Sequence, residues 1–319
     1  MTSGSTGGRP PETSGAPAAP EPAAIAGERR HLTNLAYRLL GSLADAEDVV
    51  QETYARWYAM TPQEQAAIQV PAAWLTKVAG RICLDVLGSA RVRRERYVGE
   101  WVPEPLPDGT EWVSGRLGGA AVDPADSVTL DESLTMAFLV VLEAMTPAER
   151  VAFVLHDVFR YSFAEIGEIV GRSEEACRRL ASSARRRVRQ EHAPGVPVAR
   201  QAEVVREFKQ AWEAKDIGAL VGLLDPRALA VADGGGVVSA VLKPIEGGER
   251  IARYAVGLTE LAPGLELLEH VVNGRPGLVL RREGVTVAVM AFELAGDRIT
   301  RLWAVRNPEK LRSWTSEPA

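Results

Sequence analysis

Six arginines and no acidic residue fall between Ala176 and Gln190. Guanidinium groups at that density present planar donor forks that suit phosphate oxygens and guanine edges, whereas a merely solvated helix face interleaves its bases with Glu. The segment that must carry them reads as a helix. Ser173 is its cap, Glu174 and Glu175 suit its positive N-terminal end, and Cys177, Leu180, Ala181, Ala184 and Val188 make a buried stripe. That leaves Arg178, Arg179, Ser182, Ser183, Arg185, Arg186 and Arg189 facing outward. A shorter helix precedes it: Ser162 and Glu165 have capping-box spacing, Phe163, Ile166, Ile169 and Val170 recur at helical intervals, and Gly171 ends the run. Two helices joined by a short glycine-containing turn, the second basic on its outer face, predict a helix-turn-helix whose second helix enters the major groove.

A second cationic run, Arg91, Arg93, Arg94 and Arg96, ends a helix that Pro71 opens and that Leu75, Val78, Ala79, Ile82 and Val86 stripe. Trp74 and Tyr97 flank it, and Lys77 and Arg81 lie on its other side. Cations for phosphates beside rings for exposed bases are what melting or single-stranded DNA requires. The preceding helix has the opposite sign. Asp45, Asp48 and Glu52 share an outer face with Gln51 beside them, Glu47 lies in the first turn, and Val50, Tyr54, Trp57 and Tyr58 point inward. An acidic stripe backed by aromatics is a docking surface for a basic partner.

Other chemistry finds little support. Cys83 and Cys177 sit on apolar helix faces as core residues, and His31, His156, His192 and His270 have no ligand spacing, so neither a metal site nor a cofactor is expected. His270, Asp233 and Glu293 are the available acid–base groups, but nothing in their spacing pairs them, and no catalytic residue is assigned. Gly234, Gly235 and Gly236 after Asp233 lack the GK[ST] that completes a phosphate loop and read as a tight turn. The sequence has no membrane-spanning apolar run and no signal peptide, so we expect a cytoplasmic protein. Its net charge of -5 argues against unaided DNA binding and for a partner that delivers it to DNA.

Composition divides the 319 residues. We expect a disordered leader over 1–27, a helical domain over 28–99, an acidic proline-rich linker over 100–129, a helix-turn-helix domain over 130–193, an α+β domain over 194–312 and a tail over 313–319. The linker reads either as a semi-rigid tether or as an acidic strip lying on a basic surface, with Trp101 or Trp112 docked. In the last third, helices come first, then strands over 229–232, 237–242, 265–272, 278–281, 285–294 and 299–305, with a helix over 251–258.

DAEDVVQETYARWY followed by AWLTKVAGRICLDVLGSARVRRE resembles region 2 of an extracytoplasmic-function sigma factor, and residues 131–192 resemble region 4. WVPEPLPDG, with Trp101, Pro103, Glu104 and Pro105, is similar to a linker motif of the sigma-J-like subgroup, which carries a fused SnoaL-like domain. Asp233 to Gly236, and Asn307, Pro308 and Lys310 in NPEKL, resemble that subgroup's two C-terminal motifs. The resemblance implies two all-α sigma domains followed by a SnoaL-like cone, a curved sheet wrapped on helices. It implies binding to core RNA polymerase, at the β′ clamp and the β flap, and to promoter DNA. Asp45, Glu47, Asp48, Gln51, Glu52 and Trp57 would meet the clamp. Trp74, Lys77, Arg81, Arg91, Arg93 and Arg94 would act at the minus-ten element, and Glu174, Arg178, Arg179, Ser182, Ser183, Arg185 and Arg186 at the minus-35 element. Family members commonly carry Arg-Asn where Gly80-Arg81 stands here. The cone is expected to regulate in cis and to offer room for a small-molecule ligand. The rival expectation is a regulator that binds a duplex operator alone, with a ligand-sensing C-terminal domain.

Overall fold

The computed structural model describes residues 25, 27–94, 97–110, 131–191, 195–238 and 243–315, with the side chains of 90–94 left undescribed. The leader up to residue 24, Trp112 and the rest of the linker to 130 lie outside the described residues. Helix α1 spans Arg29–Leu40, α2 Leu43–Tyr58, α3 Pro62–Ala67 and α4 Pro71–Arg94. After the linker come α5 (Met136–Glu143), α6 (Pro147–Phe153, continued by a π turn over Val154–Val158), α7 (Phe163–Val170) and α8 (Glu174–Glu191). The local signals act as read. Ser162 and Thr146 each close a capping box with the Glu three residues on, and Gly171 ends α7 in the left-handed conformation at φ 70°.

These helices share one apolar core. It runs from Ile25, Leu32 and Trp57 through Leu75 and Cys83 to Phe138, Phe153, Ile166 and Cys177, so the two helical regions pack as one body. Ile25, assigned to the leader from sequence, is buried in that core, and its carbonyl accepts from the Tyr54 hydroxyl at 2.7 Å. Tyr58, expected inward, is 63% exposed and stacks on Tyr54 instead.

The last third begins with α9 (Val198–Glu213) and α10 (Ile217–Leu223), followed by β1 (Leu224–Asp233), β2 (Ile245–Glu246), α11 (Gly248–Leu261), β3 (Leu265–Val272), β4 (Arg275–Arg282), β5 (Val285–Ala295) and β6 (Arg298–Val305). A single-turn 3-10 helix, Pro308–Leu311, and α12 (Arg312–Thr315) close the described chain. The strands form one sheet in the order β2-β1-β6-β5-β4-β3, antiparallel except where β1 runs parallel to β6. The expected strand over 237–242 does not form where described. Val237 is 73% exposed and its amide closes a turn on the Gly234 carbonyl, so no neighbouring strand satisfies it.

Alternation along β5 and β6 gives the sheet two apolar faces. Ala288, Met290, Phe292 and Leu302 face α9 and α11 inside the cone. Val289, Ala291, Trp303 and Val305 face outward, where a solvated sheet would be polar, and are covered by Val102 of the linker, Met136 and Ala137 of α5, and Leu311 and Trp314. The outward face is thus an internal interface.

Truncating Phe138, which is 1% exposed and stacks on Phe153, should test the shared helical core. Phe138→Ala is expected to cost about 3–5 kcal/mol. In a denaturant titration both helical regions should still unfold in a single transition; two separated transitions would show that they do not share a core.

Candidate nucleic-acid interface and the buried knot beside it

The acidic face of α2 forms as expected. Glu47, Asp48, Gln51 and Glu52 are exposed, and Asp45 is half-buried in the first turn, its amide donating to the Ser42 cap at 3.2 Å. Trp57 lies beneath this face at 1% exposure, edge-on to Trp74 with ring centroids 5.2 Å apart. It shapes the helix from behind.

On α8, Glu174, Arg178, Arg179, Ser182 and Arg186 are exposed, while Ser183 and Arg185 turn inward. Ser183 donates to Glu149 at 2.8 Å. Arg185 donates to Asp157, which is fully buried, at 2.6 Å, and its other arm lies 3.0 Å from His156. These two residues hold the helix-turn-helix together instead of offering their donors outward. Arg178 and Arg179 pair with Glu174 and Glu175 one turn back, exposed pairs that a phosphate can displace, and Arg178 also lies over the Phe163 ring at 5.6 Å.

On α4, Arg81 is exposed, Lys77 pairs with Glu168 of α7 at 2.7 Å, and Trp74 is half-buried. The side chains of Arg91, Arg93 and Arg94 lie outside the described residues. Gly80, one of the two positions that depart from the family pattern, has a structural reason: a Cβ there would stand 3.0 Å from Ile169 of α7. The glycine lets the helix-turn-helix lie directly on α4. Arg150 of α6 crosses the same boundary, donating to the Leu39 carbonyl at 3.0 Å and to Glu143 at 2.7 Å.

The linker motif is the opposite of a solvated tether. Val102 to Leu106 is buried, which obliges every backbone polar group to find a partner. Pro103 and Pro105 bring no N–H, so three amides remain, and each is satisfied by a different part of the chain. Val102 donates to the Asp233 carboxylate at 3.0 Å, Glu104 to the Gly41 carbonyl at 2.8 Å and Leu106 to the Asn273 side chain at 3.1 Å. The carbonyls are matched too: Lys310 donates to Val102, the Tyr37 hydroxyl to Glu104 and the Trp314 indole to Pro105 at 2.8 Å.

Asp233, with no exposure, is the centre of this knot. One carboxylate oxygen accepts from the Tyr97 hydroxyl at 2.6 Å and the Gly235 amide at 3.0 Å; the other accepts from Val102 and from the Lys310 ammonium at 2.7 Å. Lys310 also sits 4.1 Å from the centre of the Trp101 ring, so Trp101 docks as expected of one linker tryptophan. The glycines have a specific task. Gly235 is at φ 65° and a Cβ there would fall 2.6 Å from the Asn307 side chain, which itself donates to Tyr97 at 3.0 Å. Asn273 forms a second node, donating to Tyr37 at 3.0 Å and to the Leu134 carbonyl at 3.1 Å, so one cone residue touches both helical regions and the linker.

Reading the sequence alone missed Tyr37, Asn273 and Trp314, and took Tyr97 for a base-stacking ring. Asn273-Gly274, both at positive φ, signals a two-residue hairpin turn, but nothing local shows that its side chain reaches another domain. Of the three acid–base candidates, Asp233 is held in the knot, Glu293 faces Arg301 on the neighbouring strand at 3.6 Å, and His270 is exposed beside Trp314. They do not converge. No helix among the described residues is long and apolar enough to cross a membrane.

Two sigma-type helical regions, the second ending in an exposed basic helix, and a cone fused behind them define the class, and comparison with known proteins agrees. Residues 25–96 match the Sigma-70 region 2 family and residues 135–188 the Sigma-70 region 4 family. The chain is 37% identical over 294 residues to the ECF RNA polymerase sigma factor SigJ of Mycobacterium tuberculosis, covering 88% of this chain and 90% of that protein. It is 33% identical to the probable ECF RNA polymerase sigma factor SigI of the same species, covering 92% and 95%. The crystal structure of M. tuberculosis SigJ superposes with a TM-score of 0.70 at 33% identity, over 92% of this chain and 99% of that one. The chain belongs to the extracytoplasmic-function RNA polymerase sigma factor family, with a SnoaL-like C-terminal domain, and it serves promoter-directed transcription initiation.

Replacing Asp233 by Asn leaves Lys310 buried without its counter-charge, and should cost roughly 3 to 5 kcal/mol. Adding Lys310→Met should recover part of that loss in a double-mutant cycle; strictly additive losses would show that the pair is not coupled. Glu104 gives the knot a pH dependence. Burial pushes its carboxyl from 4.5 up to about 7, against the pull of the Leu43 amide. The docked segment therefore holds a proton that the free segment releases, so docking is fully supported at and below pH 4.5, weakens as pH rises from there to about 7 and levels off above. Urea midpoints should fall across that window by the equivalent of about 2–3 kcal/mol for the native chain relative to Glu104→Gln, whose own amide cannot titrate.

Proposed function

We propose that this sigma factor rests in a closed form, that the knot around Asp233 maintains it, and that core polymerase and promoter DNA bind an opened form. The observation that carries the proposal is the packing of α7 on α4 at Gly80 and Ile169. By resemblance, α4 acts at the minus-ten element and α8 at the minus-35 element. These elements lie more than two helical turns apart on DNA, at about 35 Å per turn. Two reading heads that share one apolar core do not span that distance until they separate.

In this reading Asp45, Glu47, Asp48, Gln51 and Glu52 meet the β′ clamp, and Arg178, Arg179, Ser182 and Arg186 read or flank the minus-35 element. Region 4 also meets the β flap. The protein acts where core polymerase is, in the cytoplasm. Support comes from the exposure of all these groups but Asp45 in the closed form, which leaves an initial encounter possible before opening. The cone regulates in cis because its Asp233, Asn273 and Lys310 hold the linker that joins the two helical regions.

Transcription in vitro with core polymerase, on a promoter from the gene's own neighbourhood, tests this. Gly80→Leu should push α7 off α4 and raise initiation several-fold at limiting polymerase. Asp48→Lys with Glu52→Lys should weaken polymerase binding by at least about ten-fold, the work of two reversed contacts. A native chain that binds a duplex operator tightly but never core polymerase would overturn the proposal in favour of an operator-binding regulator.

A further inference from the structure

The cone encloses a cavity of about 450 Å³ that the knot does not use. Protein interiors rarely keep voids much larger than a water molecule, and this one falls in the size range of small-ligand sites. Its walls are Phe208, Trp212, Leu258, Met290 and Leu302, with alanines where bulkier residues would fill it, among them Ala230, Ala288 and Ala304. Two polar groups of the wall are already engaged. The Trp212 indole donates to the Ala255 carbonyl at 2.6 Å, and the Thr286 hydroxyl to the Trp314 carbonyl at 3.1 Å. A ligand body seated against these walls meets mostly apolar surface and is itself apolar.

The charged groups are of one sign. Arg282 and Arg306 line the cavity, Arg282 exposed and Arg306 half-exposed, with Tyr254 beside them at 38% exposure. Arg282 has no ion-pair partner among the described residues. Among the described residues no Asp, Glu, His or Cys lines the cavity, so the wall shows no carboxylate, imidazole or thiol for proton transfer or nucleophilic attack.

We propose that the cavity is a binding site for a small apolar molecule with one anionic headgroup, a carboxylate on an alkyl chain or flat ring system, its body inside the cone and its headgroup on Arg282 and Arg306. The site binds and does not turn over. Its walls run into the knot: Ala232 precedes Asp233, Arg306 precedes Asn307, and Pro308 and Leu311 flank Lys310. An occupant therefore bears on the elements that hold the linker. That such a ligand changes initiation rests on the closed-form reading above; that it binds does not.

The test uses the full chain and the fluorescent anionic probe 1-anilinonaphthalene-8-sulfonate. The probe should bind at one site per chain and be displaced by decanoate and by 2-naphthoate, the better of the two telling a flexible ligand from a flat one. Decan-1-ol and decylammonium should need at least about ten-fold higher concentrations. Arg282→Ala, at an exposed strand end, should raise the decanoate requirement about ten-fold and leave decan-1-ol unchanged, and Ala288→Trp should fill the cavity and abolish probe binding. Absence of a displaceable site, equal displacement by decylammonium, or an unaltered decanoate requirement in Arg282→Ala would each overturn the site. Displacement by decanoate without any change in transcription would keep the site and count against the closed-form reading alone.

Discussion

A carboxylate taken out of water has to be met by donors, and the rest of this structure depends on how Asp233 is met. Four donors converge on it from the segment after α4, the linker, the glycine turn after β1 and the 3-10 helix after β6. A buried ion pair by itself is weak evidence for stability, because desolvation offsets attraction. Its consequence here is geometric specificity. The linker backbone can be buried only if Val102, Glu104 and Leu106 each find their acceptor, and those acceptors belong to the cone and to α1's C-terminal end. One register of the linker satisfies all three.

From this constraint the closed arrangement follows. With Val102 and the outer sheet face covering α5, and Asn273 bonded directly to Tyr37, regions 2 and 4 are brought to the distance at which Gly80 admits Ile169. Charge complements the packing, through Lys77 with Glu168 on the surface and Arg150 with Glu143 beneath it. The exposed pair is worth little; Glu143 orients Arg150, whose other contact, to the Leu39 carbonyl at 3.0 Å, is the one that crosses the boundary. Helix α8 keeps Arg178, Arg179 and Arg186 outward in this arrangement, so the proposed closed form withholds spacing rather than donors.

Much of this was legible in the sequence where the cause is local. Ser162 with Glu165, Thr146 with Glu149, and the apolar, β-branched runs of β3 and β5 state their structure within a few positions. The resemblance supplied the motif residues Trp101, Asp233, Asn307 and Lys310. What they do was not legible, because their partners are remote: Tyr97 reaches Asp233 across 136 residues and Asn273 reaches Tyr37 across 236. Tyr97 read as a base-stacking aromatic beside arginines, and its hydroxyl instead completes the knot. The segment over 237–242 had the composition of a strand, but Val237 closes a turn on Gly234, and Ser183 and Arg185 looked like outward groups because helical periodicity does not see Glu149 and Asp157 beneath them.

The central claim is that the two helical regions lie together in the free chain and separate on core polymerase. Spin labels at Gln63→Cys and Gln190→Cys, both exposed positions away from the acidic face and the knot, report that separation directly, since Cys83 and Cys177 are buried. Pulsed electron–electron resonance should give one short, narrow distance for the free chain and a longer one in the polymerase complex. The same short distance in both states would contradict the account.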